Sequence, residues 1–242
     1  DMKTVPPSRD QEEVAYLFRQ YGLVSAPVVD AAGRLVGVVT VDDVVHIIDE
    51  EAEEDLLKLA GVQETDLYSA VLDTTKSRFA WLLINLFTAV AASVVIAFFE
   101  ETLERIVALA VLMPIVASMG GNAGTQTLTV AVRAIAMRDL SPGNALRFVW
   151  KELLVGLANG LMFAVVAGAI AWLWFDMPSI GFIIAAAMVI NLVVAALSGA
   201  LVPLGLEKVG VDPAVASSVV LTTVTDVIGF FAFLGLATIF LL

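Results

Sequence analysis

The 242-residue chain is 60% hydrophobic, carries a formal net charge of −12, and contains one histidine and no cysteine. With a mean hydropathy of +0.93, it lies well above the roughly 45–50% apolar content of soluble domains, so most of it faces lipid. Disulfides and thiolate metal sites are excluded, a zinc site is disfavoured by the lone histidine, and the acidic balance argues against nucleic acid and suits cations.

The acids are concentrated at the front: residues 1 to 78 hold 16 acids and 7 bases, and residues 79 to 242 hold 9 and 6. No basic stretch followed by an apolar run marks a secretory signal in the first thirty residues. Val14, Leu17, Phe18 and Tyr21 stand at helical spacing. Pro27 to Val29 and Leu35 to Val39 then read as strands about an Asp30–Gly33 turn, and a second helix starts near Thr40, with Thr40 or Asp42 as N-cap. This order resembles the second half of a CBS module over about residues 4 to 48. In such modules a Gly, Thr and Asp at the end of the second strand can hold an adenine nucleotide, and Gly37, Thr40 and Asp43 have that spacing, which makes ATP a candidate ligand. The plainer reading is a helix cap after a tight turn, and His46 reads as a helix-surface residue. A single half-module opening at Asp1 implies a fragment that lacks a partner module.

Residues 49 to 78 read as an acidic connecting helix. Its block Glu50, Glu51, Glu53, Glu54 and Asp55 has two readings: a solvated helix start, or a cation-sensing surface that closes when a divalent cation neutralises it. From residue 79 onward the chain is apolar. Phe79 to Phe99, Leu103 to Met119, Leu153 to Phe175, Ile180 to Leu206 and Val215 to Leu242 give five crossings. Lys76, Arg78, Arg133, Arg138, Arg147, Lys151 and Lys208 fall in loops on one side. That predicts a cytoplasmic N-terminus and an outside C-terminus in a multi-pass cell (inner) membrane protein. Glu152, near a helix end, is expected to reach water.

Two features place polarity within the membrane. Gly120-Gly121-Asn122-Ala-Gly124-Thr-Gln126, after Pro114 and Ser118, interrupts the second apolar run and predicts either a broken helix lining a wet cavity or close packing of small residues. Asp226 lies deep in the last run, flanked by Ser218, Thr222, Thr223, Thr225 and Gly229. A charged group there is a functional candidate by default, and its plain alternative is a protonated structural acid. Near a carboxylate a divalent ion gains about twice what a monovalent ion gains. A two-carboxylate hydrolase would need a second deep acid, so no enzyme is expected.

At these residues the sequence resembles the MgtE-type magnesium channel and transporter family. The specific portions are Pro114 through Gln126 with Arg133, Lys151-Glu152 with Gly156 and Gly160, and Gly210-Val-Asp212-Pro213-Ala214 followed by Thr223, Asp226 and Gly229. The resemblance implies a mainly α membrane fold: a partial α/β CBS module (1–48), an acidic connecting or plug helix (49–78) and a five-helix pore domain (79–242), assembled as a homodimer. It implies that Asp226 binds hydrated Mg²⁺ with Asn122 nearby. It implies that Ser118, Gly120, Gly121, Gly124, Gln126, Ser218, Thr222, Thr223 and Gly229 line the pore, and that Glu50 to Asp55 sense cytoplasmic Mg²⁺. Ser118 and Ser218 stand where the family can carry a glycine and an asparagine. The expected activity is passive Mg²⁺ uptake gated from the cytoplasm. The alternative is a transporter coupling a divalent cation to Na⁺ or H⁺.

Overall fold

A computed structural model describes residues 3–62, 70–141 and 143–242. The chain divides into two compact units, with the division between Asp66 and Leu67.

In the first unit, α1 (Gln11–Tyr21) starts where the Asp10 carboxylate accepts from the Glu12 N–H, and ends at Gly22 in the left-handed region, φ 60°. Such caps satisfy backbone groups that the helix itself leaves orphaned. Strands β1 (Ser25–Val29) and β2 (Leu35–Thr40) pair antiparallel, with Ser25 opposite Thr40 and Val28 opposite Gly37. Their turn is held by Asp30, whose carboxylate accepts from the backbone of Ala32 and Arg34 and pairs with the Arg34 guanidinium at 2.7 Å. Val5 adds a parallel bridge to Val28. Val5, Val14, Phe18, Ala26 and Val44 form the small core. The strand–turn–strand expectation is met.

Helix α2 (Val41–Leu59) begins at Thr40, as expected, and runs without interruption through the acidic block. The boundary expected at residues 48 and 49 therefore falls inside one helix. Part of the stretch assigned to the connecting helix, residues 63–69, lies outside the described residues.

The second unit has five helices long and apolar enough to cross a membrane: α3 (Val71–Ala97), α5 (Val107–Ala136), α6 (Ala145–Phe175), α7 (Pro178–Lys208) and α8 (Pro213–Leu241). A short helix, α4 (Glu100–Arg105), lies between α3 and α5. The protein is thus mainly helical and multi-pass. The largest differences from expectation are that α3 begins at Val71 rather than Phe79, α5 continues to Ala136 rather than stopping at Met119, and α6 begins at Ala145 rather than Leu153.

Helix α7 is the most enclosed span and packs on α5, α6 and α8, whereas α3 is the least enclosed and packs mainly on α8. The core includes Leu109, Leu112 and Val116 of α5, Ile180, Ile184, Met188 and Leu192 of α7, and Phe233 and Leu234 of α8. Small residues allow the close approach of α6 to α7: a Cβ on Gly168 would lie 2.9 Å from the Gly181 carbonyl, and one on Gly156 2.9 Å from the Leu192 carbonyl. Without a hydrophobic drive between helices in lipid, such packing holds the bundle together. Pro213 at the first turn of α8, with the Asp212 carboxylate accepting from Ala214 N–H at 2.8 Å, sets where the last span starts.

Candidate functional site

Asp226 lies close to the middle of the 29-residue α8 and is half-buried. Around it the threonines turn their hydroxyls back onto their own helix: Thr222 donates to Ser218 O at 3.1 Å, Thr223 to Val219 O at 2.6 Å and Thr225 to Thr222 O at 3.1 Å. Each hydroxyl is thereby satisfied within its own helix. Thr225 is fully buried, and Ser218, Thr222 and Thr223 are partly exposed.

On α5, Ser118, Asn122, Thr125, Gln126, Thr129 and Arg133 are all exposed. Steps of three and four residues put them on one helical face. Asn122 Nδ2 lies 3.4 Å from Ser118 Oγ, Thr125 donates to Gly121 O at 2.8 Å, and Thr129 donates to Thr125 O at 2.9 Å. An amide and a glutamine cannot face hydrocarbon without losing several kcal/mol of hydrogen bonding. This stripe therefore has to meet water or another polar surface.

The expected helix break is not there. Residues 107 to 136 form one continuous α-helix through Gly120, Gly121 and Gly124, because the glycines are used for packing rather than for unwinding. Gly120 and Gly124 are buried, and so is Gly229 on α8. A Cβ on Gly124 would come within 2.7 Å of Leu221, and one on Gly199 of α7 would come within 2.6 Å of the Gly124 carbonyl. These three expected pore-lining positions instead face neighbouring helices. Gly121 does look onto open space, with nothing within 4 Å of an added Cβ.

What Gly120 and Gly229 pack against is Asn191 of α7, which the sequence reading missed. It is fully buried and donates from Nδ2 to Val116 O at 2.8 Å, and among the described residues its Oδ1 has no hydrogen-bond partner. An orphan buried acceptor costs roughly 1–3 kcal/mol. The available signal was an amide within the long apolar run from Ile180 to Leu206.

Glu152 also departs from expectation. It is only 6% exposed and accepts from Thr127 Oγ1 of α5 at 3.1 Å, with Lys151 Nζ at 3.5 Å. The charge lies between helices rather than at a wet helix end because Thr127 supplies a buried donor.

In the first unit, Asp43 Oδ2 accepts from both the N–H and the hydroxyl of Thr40, each at 2.8 Å. These bonds, the backbone one foremost, hold the Asp43 carboxyl below the usual range. Thr40 and Asp43 are thus engaged with each other as a helix cap. Gly37 is exposed in β2, and an added Cβ would only touch Val28. His46 is exposed, as expected. In the acidic block, Glu50 and Glu53 are exposed. Glu51 accepts from Gln11 Nε2 at 2.6 Å, Glu54 pairs with Lys58 at 2.6 Å, and Asp55 is half-buried. Among the described residues no three carboxylate or imidazole groups converge as a metal cage.

A bundle of five spans, polar on one face of α5 and carrying a carboxylate at mid-helix in α8, has the features of a membrane transport protein rather than of an anchor. A family model described as "Divalent cation transporter" matches residues 113–236, and the CBS domain model matches residues 1–50. The chain belongs to this MgtE divalent cation transporter family. It is 34% identical over 238 residues to "Magnesium transporter MgtE" of Bacillus subtilis, covering 96% of this chain and 52% of that protein. To the proteins of the same name from Enterococcus faecalis and Thermus thermophilus, identity is 36% over 232 residues and 39% over 236 residues. Each alignment covers 96% of this chain, with 51% and 52% of the respective relative. The chain spans about half the length of the curated relatives it matches.

Proposed function

We propose that this chain forms the pore of a passive Mg²⁺ channel in the cell membrane, with two copies placing their Asp226 carboxylates about a shared axis. The observation that carries this reading is the half-buried Asp226 in the middle of a spanning helix, in a bundle whose α5 turns an exposed polar face outward. The relatives' name, magnesium transporter, supplies the ion.

Electrostatics agree in sign and size. A carboxylate about 4 Å from a unit charge is worth about 4 kcal/mol at an effective dielectric near 20, and about twice that for a divalent ion. Mg²⁺ sheds water reluctantly, so Asp226 would hold its hydration shell, with Asn122 accepting from outer waters. Ser118, Gly121, Gln126, Ser218, Thr222 and Thr223 complete the wet wall in this reading. A potential of about 100 mV, negative inside, supplies roughly 4.6 kcal/mol per Mg²⁺ moving inward, so uptake needs no ATP hydrolysis.

The first unit and the acidic block of α2 are regulators in this scheme, on the cytoplasmic side together with the N-terminus. Glu50, Glu51, Glu53, Glu54 and Asp55 respond to internal Mg²⁺. A nucleotide such as ATP could use Gly37, Thr40 and Asp43 only by opening the Thr40–Asp43 pair.

The test is Mg²⁺ flux into liposomes under an imposed potential. Asp226→Ala is expected to lose nearly all flux that the parent supports, and equal flux from both would reject the pore reading. Flux that follows an imposed Na⁺ or H⁺ gradient instead of the potential would establish coupled transport.

A further inference from the structure

We propose that Asn191 is a positioning residue that sets the spacing of α5 and α8, and thereby the separation of Asn122 from Asp226 on which cation selection depends. This rests on the pore reading given above. Asn191 is fully buried, and its amide lies between two glycines on different helices. A Cβ on Gly120 would overlap the Asn191 amide, and one on Gly229 would stand 2.8 Å from Nδ2, 3.0 Å from Cγ and 3.1 Å from Oδ1. Neither backbone therefore leaves room beside the flat amide for a side chain.

The amide is not free to swing aside. Nδ2 is bonded to Val116 O at 2.8 Å, one turn before Gly120 on α5. Gly120 precedes Asn122 by two residues, about 3 Å along the helix, and Gly229 follows Asp226 by three, about 4.5 Å. The wedge thus acts within one turn of both candidate ion contacts.

Stability alone does not account for this side chain. Its Oδ1 is buried without a partner among the described residues, and a leucine of similar size would bury no orphan acceptor. What an amide provides and a leucine cannot is a thin, rigid plate fastened to one helix, against which a second helix can rest. A site held this way keeps its geometry only while its supporting groups do.

The experiment measures Mg²⁺ and Ca²⁺ flux through the full chain in liposomes for the parent, Asn191→Leu, Gly229→Ala, and Gly229→Ala combined with Asn191→Ser. Asn191→Leu should lower the Mg²⁺ to Ca²⁺ flux ratio about 10- to 100-fold, the range seen when groups supporting a metal contact are removed. Gly229→Ala should show the same loss, and the double variant should regain most of the ratio, because a shorter side chain makes room for the added methyl. An unchanged ratio in Asn191→Leu overturns the proposal, as does a double variant no better than Gly229→Ala alone. If Asn191→Leu fails to fold, the comparison of Gly229→Ala with the double variant decides.

A readout free of conduction separates this inference from the pore reading. The chain has no cysteine, so spin labels can be placed through Val130→Cys and Val220→Cys, exposed positions on α5 and α8. A shifted or broadened label distance in Asn191→Leu supports the spacer even if Asp226→Ala conducts like the parent. An unaltered distance overturns it.

Discussion

Glu12 is where a single residue makes the first unit sensitive to pH. Its carboxyl is pushed up to about 7, first by desolvation, then by a hydrogen bond to Glu51 and by the negative charges of Glu51, Asp10 and Asp55. The unfolded value is about 4.5, so the folded unit binds the extra proton between the two values. Its contribution to stability is complete below 4.5 and is lost as pH rises through about 7. Hydrogen exchange at α1 amides in the full chain, corrected for intrinsic rates, should show protection falling across that interval, and Glu12→Gln should flatten the fall. Equal slopes in parent and variant would mean that Glu12 titrates normally. Composition revealed an acidic front, but not that an acid from α1 would share a proton with one from α2, because the two are distant in sequence.

At the level of the helix, glycine has two uses that a sequence does not separate. Gly199 of α7 would drive a Cβ within 2.6 Å of a carbonyl of α5, whereas a Cβ on Gly205, further along the same helix, would meet nothing within 4 Å. Gly199→Ala is therefore expected to lower the melting temperature in detergent by several degrees while Gly205→Ala leaves it unchanged or raises it, since alanine favours the helix by about 1 kcal/mol. Similar melting of the two variants would show that α5 and α7 are not in tight register there. The five spans were legible because about twenty apolar residues in a row have few other interpretations. The Thr40 start and the Asp30 turn were legible because capping and turn chemistry are local. Gly120, Gly124 and Gly229 were read as pore wall because glycine's local effect is to weaken helices. What they receive, Asn191 and Leu221, comes from other helices and becomes visible only in three dimensions.

For the molecule as a whole, one expectation follows from the proposed division of labour between the acidic first unit and the bundle. Replacing Glu50, Glu51, Glu53, Glu54 and Asp55 by their amides should weaken inhibition of flux by Mg²⁺ on the cytoplasmic side, shifting the half-inhibitory concentration upward. Flux without internal Mg²⁺ should stay at the parent level. Unchanged inhibition would remove these residues from the sensor. The family resemblance was readable from Pro114 to Gln126 and around Asp226, where residues that are costly in lipid stand close together within apolar runs. The burial of Glu152 was not, because its donor, Thr127, is one unremarkable threonine on another helix.

Helix α3 has a further meaning for the molecule's surroundings. It is the least enclosed span, packs mainly on α8, and is apolar from Phe79 to Ala97. At 1.5 Å per residue that stretch is about 28 Å long, close to the hydrocarbon thickness of a thin bilayer and a few ångströms short of a thick one. Packed against α8 on one side, α3 is expected to answer a change in acyl-chain length by tilting, and the helix it leans on is the one that carries Asp226. A mismatch between this stretch and the bilayer is thus expected to be met first at α3, beside the helix that carries the mid-membrane acid.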